Sequence, residues 1–362
     1  MDGSTGDVKR TDPSPFTLIH PIQYLRGVAA LMVVWHHGVG QLPSLETYFP
    51  FRFGTSGVDL FFVISGFIMV VTTAGRDVTP TEFIARRFVR VVPLYWVLTL
   101  ALAATALLAP SLFRTVTLTA GSLAQSLLFI PHFSPSHAGM IWPVLVPGWT
   151  LNYEMFFYVV FAASLAFRQR LAVLCVSLAT LVATGYLLGP FAQAIARTYT
   201  DPILLEFVAG ALIGHLWLAG VKLPFAPSVI AILLGAGLLL RRDAPPLENY
   251  TQLLGAVLLV CGVLNSRILP WRNGLLRALG DASYSIYLTH IFTLGAWRWV
   301  WTRLDVGLSG FAAAVAFMLL ALVCSSIVGW LSYRWIETPL LTWMRARWRS
   351  RIRASAAALP NG

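Results

Sequence analysis

The sequence predicts an all-α integral membrane protein with about ten transmembrane helices and both termini in the cytoplasm. Three observations support this fold class. Of the 362 residues, 57% are hydrophobic and only 11% are charged, whereas soluble domains carry roughly 25% charged residues. The mean hydropathy is +0.73. Apolar runs of about 20 residues, the length that crosses a hydrocarbon core of ~30 Å, recur along the chain.

Ten such runs set the predicted domain organisation. They lie at 22–41, 56–74, 88–108, 149–167, 170–188, 202–219, 224–240, 249–265, 281–300 and 311–335. We expect a polar cytoplasmic tail at 1–20, a transmembrane domain at 21–340 and a basic cytoplasmic tail at 341–362. The long connection at 109–148 contains an apolar piece, Leu118–Ile130, which is too short to span and suggests a re-entrant or interfacial segment.

The distribution of Lys and Arg orients these runs. With the N-terminus inside, 18 of the 26 Lys and Arg residues fall on the cytoplasmic side and 7 outside, while Arg26 lies within the first run. This bias follows the positive-inside rule and predicts that both termini are cytoplasmic. The net charge of +11 does not indicate a nucleic-acid partner, because the basic residues lie in short loops and tails between apolar runs. The basic tail is expected to contact anionic membrane lipids.

The first run, RGVAALMVVWHH, carries Arg26 and His37 eleven residues apart. That spacing is about three helical turns, so both side chains share one stripe of a helix. Ionisable residues inside a membrane helix are costly and indicate function. The other reading is that Arg26 reaches the lipid headgroups and His37 is a hydrogen-bonded core residue. His36 points about 100° away from His37, so at most one of the two is expected to face a given site.

Ionisable residues of the other runs fall into two layers. Those predicted toward the cytoplasm are Arg26, Arg86, Arg87, Arg90 and Glu337. Those predicted in the middle or outer half are His37, Asp59, Glu154 and His290. Arginines clustered in a loop at a helix entrance suit phosphate or pyrophosphate, although they also satisfy the positive-inside rule. An imidazole near a carboxylate suits a general base. The layers predict a phosphate-bearing cytoplasmic donor whose reactive end meets an acceptor from outside.

Six segments, in order from residue 24 to 340, resemble the membrane-bound acyltransferase 3 family, whose members O-acylate cell-surface and exported glycans. The segments are YLRGVAALMVVWHH, FGTSGVDLFFVISGF, FIARRFVRVVPLYW, PGWTLNYEMFFY, LGDASYSIYLTH and YRWIETPL. Within the family, the chain is most similar to the exopolysaccharide-production branch that decorates succinoglycan-type polymers. The family's WSLSVEE motif is WTLNYE here, and Met155 replaces its second carboxylate.

The resemblance implies transfer of an acyl group, most simply acetyl, from acetyl-CoA or another acyl-CoA to a sugar hydroxyl of a polysaccharide or lipid-linked oligosaccharide. No metal is expected, and polysaccharide-synthesis proteins are expected partners. The expected catalytic residues are His37, Glu154 and Asp59; the expected donor contacts are Arg26, Arg86, Arg87 and Arg90; the expected substrate contacts are Trp149, Tyr153 and His290. His37 would deprotonate the hydroxyl, oriented by Glu154 or Asp59, or would carry the acyl group transiently.

Two other classes of function compete with the enzyme. A transporter or flippase of a glycan or lipid-linked sugar would use the same arginines and intramembrane ionisable residues. A scaffold subunit of a glycan synthase is the third. We see no internal repeat of the kind that marks many transporters. That observation and the six matching segments favour the enzyme.

Overall fold

The structure is a computed structural model that describes residues 19–50, 54–109, 117–241, 247–265, 273–304 and 307–357. The α-helices in this part of the chain are α1 (His20–Val39), α2 (Pro43–Tyr48), α3 (Gly57–Thr73), α4 (Pro80–Leu108), α5 (Ala120–Leu127), α6 (Trp149–Ser164), α7 (Arg170–Leu188), α8 (Ala194–Tyr199), α9 (Leu204–Leu218), α10 (Phe225–Leu239), α11 (Leu247–Asn265), α12 (Gly274–Asp281), α13 (Ser283–Trp301), α14 (Gly310–Ser332) and α15 (Thr338–Ala357). A 3₁₀ turn (Val146–Gly148) precedes α6, and a π-helical turn (Tyr333–Glu337) joins α14 to α15.

The predicted all-α class is confirmed, since every regular element within the described residues is helical. Each of the ten apolar runs coincides with a helix. Four helices are long and apolar enough to cross a membrane, namely Pro80–Leu108, Arg170–Leu188, Ala194–Leu218 and Gly310–Trp348. Three shorter apolar helices are Gly57–Thr73, Phe225–Leu239 and Asn249–Asn265. The chain is a membrane protein, and the number of ten spans stays a prediction.

Helix α7 illustrates how the apolar residues are distributed. Leu174, Leu178 and Val182 recur every four residues and are its buried side chains. The rest of the helix is also apolar but faces outward, with Val176 and Leu187 exposed by 64% and 80%. A helix that is apolar all round buries only one stripe in protein and leaves the remainder for lipid. The exterior of this helix is therefore typical of a lipid-facing surface.

Helix α1 lies at the centre of the bundle and packs against α3, α11, α12, α13 and α14. Small residues permit these contacts. A Cβ on Gly280 of α12 would meet the backbone of Gln23, and a Cβ on Gly57 would meet the carbonyl oxygen of Ala29. Because lipid tails give no hydrophobic drive for helix association, close packing at small residues supplies much of the attraction. The Arg26–His37 stripe is thus held inside the protein.

Three boundaries differ from the prediction. Helix α4 begins at Pro80 rather than at residue 88, because the Thr79 hydroxyl accepts from the Glu82 backbone N–H at 3.2 Å and caps it. The apolar piece Leu118–Ile130 forms the short α5, and the Trp96 indole donates to the Leu127 carbonyl at its end. The predicted basic tail continues as α15 to Ala357. Residues 1–18 of the predicted N-terminal tail, and residues 358–362, lie outside the described part.

Candidate active site

The stripe predicted on α1 connects two cavities. Arg26 lines an inner cavity of about 150 Å³. His37, near the other end of the helix, lines an outer cavity of about 480 Å³. We name the cavities inner and outer from the predicted orientation of α1. The helix runs unbroken between the two residues, so the sequence-based expectation that they share one face is correct.

The inner cavity is rich in cations and hydroxyl groups. Its polar lining consists of Arg26, Arg87, Arg90, Glu154, Ser65, Thr150, Tyr158, Tyr284 and Tyr287. Three arginines face a single lining carboxylate, so the cavity is electropositive. The Nε of Arg87 is buried and makes no hydrogen bond within the described structure. An unpaired guanidinium donor in such a place is suited to an anionic ligand.

The arginine cluster lies on α4 rather than in the loop that the sequence suggested. Arg87 and Arg90 are one helical turn apart and both line the inner cavity. Arg86 lies next to them on α4, but its side chain is 51% exposed and forms an ion pair with Glu82, four residues earlier. The expected donor contact at Arg86 is therefore not supported by its position. The early start of α4 makes this ion pair possible, because it places Glu82 on the same helix, one turn before Arg86.

Arg90 is held by a carboxylate from the far end of the chain. It forms an ion pair with Glu337, whose side chain is only 1% exposed. The Ser285 hydroxyl donates to Oε2 of Glu337 at 2.6 Å. Glu337 is the last residue of the π-helical turn. Such turns insert an extra residue into a helix and re-aim its side chains, often at functional sites. The sequence placed Glu337 at the inner surface, whereas the structure buries it.

Glu154 belongs to the inner cavity and not to the histidine layer. It accepts hydrogen bonds from the Tyr158 hydroxyl and, at 3.1 Å, from the Ser65 hydroxyl. Glu154 lines the inner cavity, whereas Trp149 and Tyr153 of the same helix line the outer cavity. The sequence misjudged its layer because depth alone cannot tell which way a side chain points. Glu154 is therefore placed to balance the arginines rather than to orient His37.

The outer cavity gathers most of the remaining predicted residues. His37, Asp59, Trp149 and Tyr153 all line it. So does His36, whose ring centroid is 5.0 Å from that of His37. The expectation that one histidine at most would face a given site is wrong, because the cavity wraps around the end of α1.

His290 lies beside His37 and lines neither cavity. Its ring is fully buried, with its centroid 5.0 Å from that of His37. Its Nδ1 is 2.5 Å from the carbonyl oxygen of Tyr287. A carbonyl only accepts, so Nδ1 carries the proton, and Nε2 of the neutral ring offers a lone pair. That nitrogen is buried without a hydrogen-bond partner in the described structure. His290, expected to contact the substrate, instead contacts His37, the expected base.

The two cavities meet at Tyr287 and Val58, which line both. The Tyr287 hydroxyl donates to the Pro147 carbonyl at 2.8 Å and is 2.8 Å from the Thr150 hydroxyl. The ring of Phe61 packs against the Tyr287 ring with centroids 5.8 Å apart. A fixed aromatic partition therefore separates the arginines from the histidines.

The structure also places residues that the sequence reasoning left unassigned. Tyr287 forms the partition, and Glu206 of α9 is buried beside Asp59 in the outer cavity. Glu206 lies within the apolar run 202–219, so the rule that intramembrane carboxylates indicate function could have singled it out. No pattern of spacing points to Tyr287. Among the described residues, no group of three or more His, Cys, Asp or Glu side chains is placed to hold a metal ion.

The fold and the cavities are those of a helical membrane protein with polar binding sites in its interior. The chain belongs to the acyltransferase 3 family, because residues 19–330 match the family's acyltransferase domain. The family resemblance seen in the sequence is confirmed, and the chain is an O-acyltransferase.

Known relatives agree with this assignment. The chain is 44% identical over 307 residues to the exopolysaccharide production protein ExoZ of Rhizobium meliloti (strain 1021), covering 82% of this chain and 92% of ExoZ. It is 26% identical to the acyltransferase MdmB of Streptomyces mycarofaciens, covering 80% and 81% of the two chains. It is 28% identical to the putative membrane-bound transacylase BcsY of Komagataeibacter xylinus, covering 87% and 81%. No solved structure matches the chain.

Proposed function

We propose that this protein is a multi-pass inner-membrane enzyme that transfers an acyl group, acetyl in the favoured case, from cytoplasmic acyl-CoA to a hydroxyl of an exported or cell-surface polysaccharide. The observation that carries the proposal is the meeting of an arginine-lined cavity and a histidine-lined cavity at Tyr287 and Val58. The similarity to ExoZ, an exopolysaccharide production protein, supports the choice of acceptor.

The inner cavity supports a phosphate-bearing donor. Arg26 and Arg87 line it, and Arg87 has an unpaired Nε there. Guanidinium groups bind phosphate through paired N–H donors and stay charged at all physiological pH values. Arg90 is already paired with Glu337. It would therefore shape the cavity and add to its electrostatic field rather than bind a phosphate as a free cation. The thioester end of acyl-CoA would then lie toward Tyr287.

The outer cavity supports the chemical step. His37 accepts the proton of the acceptor hydroxyl while the hydroxyl oxygen attacks the thioester carbonyl carbon. The C–S bond breaks, the ester remains on the sugar, and the proton leaves with the CoA thiol. His290 positions the His37 ring from behind, and Asp59 shares the cavity with it. A general base in such a role contributes roughly 10²–10⁴-fold to the rate.

The orientation proposed for the chain follows from its charges. Cytoplasmic termini and ten spans place Arg26, Arg87 and Arg90 on the side where acyl-CoA is found. The excess of Lys and Arg in the predicted inner segments supports this arrangement. The acceptor would be a polysaccharide, or an oligosaccharide still linked to its lipid, that meets the outer cavity. Proteins of polysaccharide synthesis would supply it.

The proposal is tested by the ester content of the surface glycan. A deletion strain is complemented with wild type, with His37→Ala, or with His215→Ala, which alters an exposed histidine of α9. The glycan is analysed by NMR before and after mild alkali, which removes esters. We expect ester loss in the deletion strain, rescue by wild type and His215→Ala, and no rescue by His37→Ala.

Other outcomes would contradict the proposal. Unchanged ester in the deletion strain, with glycan retained inside the cell, would indicate a transporter or flippase. Loss of the whole glycan, rather than of its acyl groups alone, would indicate a scaffold subunit. Membranes that contain the wild-type protein should also transfer label from radioactive acetyl-CoA to the glycan, and failure of that transfer with every acyl-CoA tested would exclude the proposed donor.

A further inference from the structure

Two buried carboxyl groups face each other at the outer cavity. Asp59 lies in the first turn of α3 and Glu206 in the first turn of α9, and their side chains are 7% and 3% exposed. The two helices pack at backbone contact, since a Cβ on Gly210 would clash with the Val63 carbonyl oxygen. This approach leaves the two carboxyl groups within hydrogen-bonding reach of each other.

The hydrogen-bonding capacity of the Asp59–Glu206 pair is not fully used within the described structure. A hydrogen bond between two carboxyl groups uses one shared proton, because two carboxylates would repel each other. The Oε2 atom of Glu206 is nevertheless buried without a hydrogen-bond partner in the described part of the chain. Leaving a buried acceptor unpaired is unfavourable, and such a group is expected to have a partner or a purpose. Because Glu206 lines the outer cavity, a ligand hydroxyl there is a suitable donor.

The rest of the outer cavity suits a sugar ring. Trp142, Trp149 and Tyr250 add flat apolar surfaces to its wall. Its volume of about 480 Å³ falls within the roughly 300–1,000 Å³ of sites for small molecules. Aromatic side chains combine apolar faces with polar edges, which matches the alternation of C–H faces and hydroxyl edges on a sugar.

The charge of the cavity limits which sugar can enter. Its lining includes Asp59, Asp201 and Glu206 but neither lysine nor arginine among the described residues. An acidic sugar would bring a further negative charge next to buried carboxyl groups, where the repulsion is weakly screened. A neutral sugar meets no such cost and can donate its hydroxyls to the carboxylate.

We propose that the outer cavity is the acceptor subsite, in which Glu206 and Asp59 accept hydrogen bonds from the hydroxyls of a neutral sugar and select it over an acidic one. The inference rests on the proposed function and deepens it by naming the acceptor class. Glu206 is a residue for binding and specificity, distinct from the proposed base His37.

The test measures binding and transfer separately. The full-length protein in nanodiscs is titrated with cellotetraose, and with cellotetraose oxidised at C6 to uronates, and binding is followed by saturation-transfer-difference NMR. The variant is Glu206→Gln. The matched control is Glu46→Gln, which makes the same change on an exposed residue of α2. Transfer from labelled acetyl-CoA to cellotetraose is measured in parallel.

We expect wild type to bind cellotetraose at least tenfold more tightly than its uronate form. Glu206→Gln should weaken binding of cellotetraose by about tenfold, the effect of losing a hydrogen bond to a charged group, and should narrow the preference over the uronate. Glu46→Gln should match wild type. Equal binding of both sugars to wild type, or unchanged binding to Glu206→Gln, would overturn the inference.

Two further results keep the test decisive. If Glu206→Gln yields no monodisperse protein, Trp142→Ala replaces it, because Trp142 lies in a loop and not in the helical core. Weakening of cellotetraose binding by at least fivefold would then support the subsite, and unchanged binding would refute it. Selective binding without transfer would count against the proposed function alone, whereas transfer with unselective binding would count against this inference alone.

Discussion

Changing Glu337 to glutamine should destabilise the protein through the charge that it leaves on Arg90. Glu337 is 1% exposed and Arg90 is 25% exposed. Breaking a buried ion pair by removing one partner costs roughly 3–5 kcal/mol. Because a quarter of the Arg90 side chain remains accessible, we expect a loss of about 3 kcal/mol, at the low end of that range.

The assay is thermal stability in detergent, followed by size-exclusion chromatography of a fluorescent fusion after heating at a fixed rate. A loss of 1 kcal/mol lowers Tm by roughly 2–4 °C in chains of 150–250 residues and by less in longer ones. For 362 residues the same scaling gives roughly 1.3 °C per kcal/mol. Glu337→Gln should therefore lower Tm by about 4 °C. Arg90→Gln should also lower Tm, because it leaves the Glu337 carboxylate buried with Ser285 as its remaining donor among the described residues.

The double variant Arg90→Gln/Glu337→Gln carries the decisive result. It removes both charges of the pair together, so it should recover much of the stability that either single change removes. Its acyl transfer should stay impaired, because Arg90 also lines the inner cavity. A double variant as unstable as the sum of its singles would refute the ion pair as the stabilising contact. Full recovery of transfer would refute a role for Arg90 in the donor site.

Three further predictions concern single positions with matched controls. Arg87→Gln should raise KM for acyl-CoA by about tenfold, as expected for one charged hydrogen bond, whereas Arg86→Gln should leave KM unchanged; similar KM values for both variants would contradict the placement of α4. Gly210→Ala should destabilise by about 1–3 kcal/mol through overpacking, while Gly237→Ala, which meets open space, should not, as a melting curve would show. His290→Gln should lower kcat by roughly tenfold, a part of the general-base contribution, without changing KM for acyl-CoA; an unchanged kcat would remove His290 from the positioning of His37.

The sequence was most informative where a helix is continuous, so that the helical repeat of 3.6 residues applies along its whole length. The stripe from Arg26 to His37 could be derived from their spacing, because α1 has no break between them. The sequence placed Arg86 in a loop with the donor-binding arginines. The structure has this segment in helix α4, and the Arg86 side chain is exposed and paired with Glu82. The cap at Thr79 and Pro80 was legible in the sequence. Giving it more weight than hydropathy would have placed Glu82 one turn before Arg86 and predicted their ion pair.

Residues that depend on contacts between distant helices were beyond such reasoning. Glu154 lies with the arginines because α6 turns that side chain toward Ser65 of α3. The partnership of Asp59 with Glu206 depends on how closely α3 and α9 approach, which Gly210 decides. Hydropathy gives the depth of a residue in a membrane but not its azimuth around the helix axis. That is why Arg26, Arg87, His37 and Asp59 line the cavity that the sequence suggested for them, whereas Glu154 lines the other one.

The partition at Tyr287 has an electrical consequence in the proposed orientation. In that orientation the inner cavity would face the cytoplasm and the outer cavity the opposite side, so most of the membrane potential would fall across the short aromatic barrier at which they meet. Moving one elementary charge through it would involve about 2.3 kcal/mol per 100 mV. In the proposed reaction the acetyl group moves outward and the proton of the acceptor hydroxyl moves inward to the CoA thiol, so no net charge crosses the barrier, while the phosphates of the donor would stay on the inner side with the arginines. The proposed transfer would therefore need no work against the membrane potential.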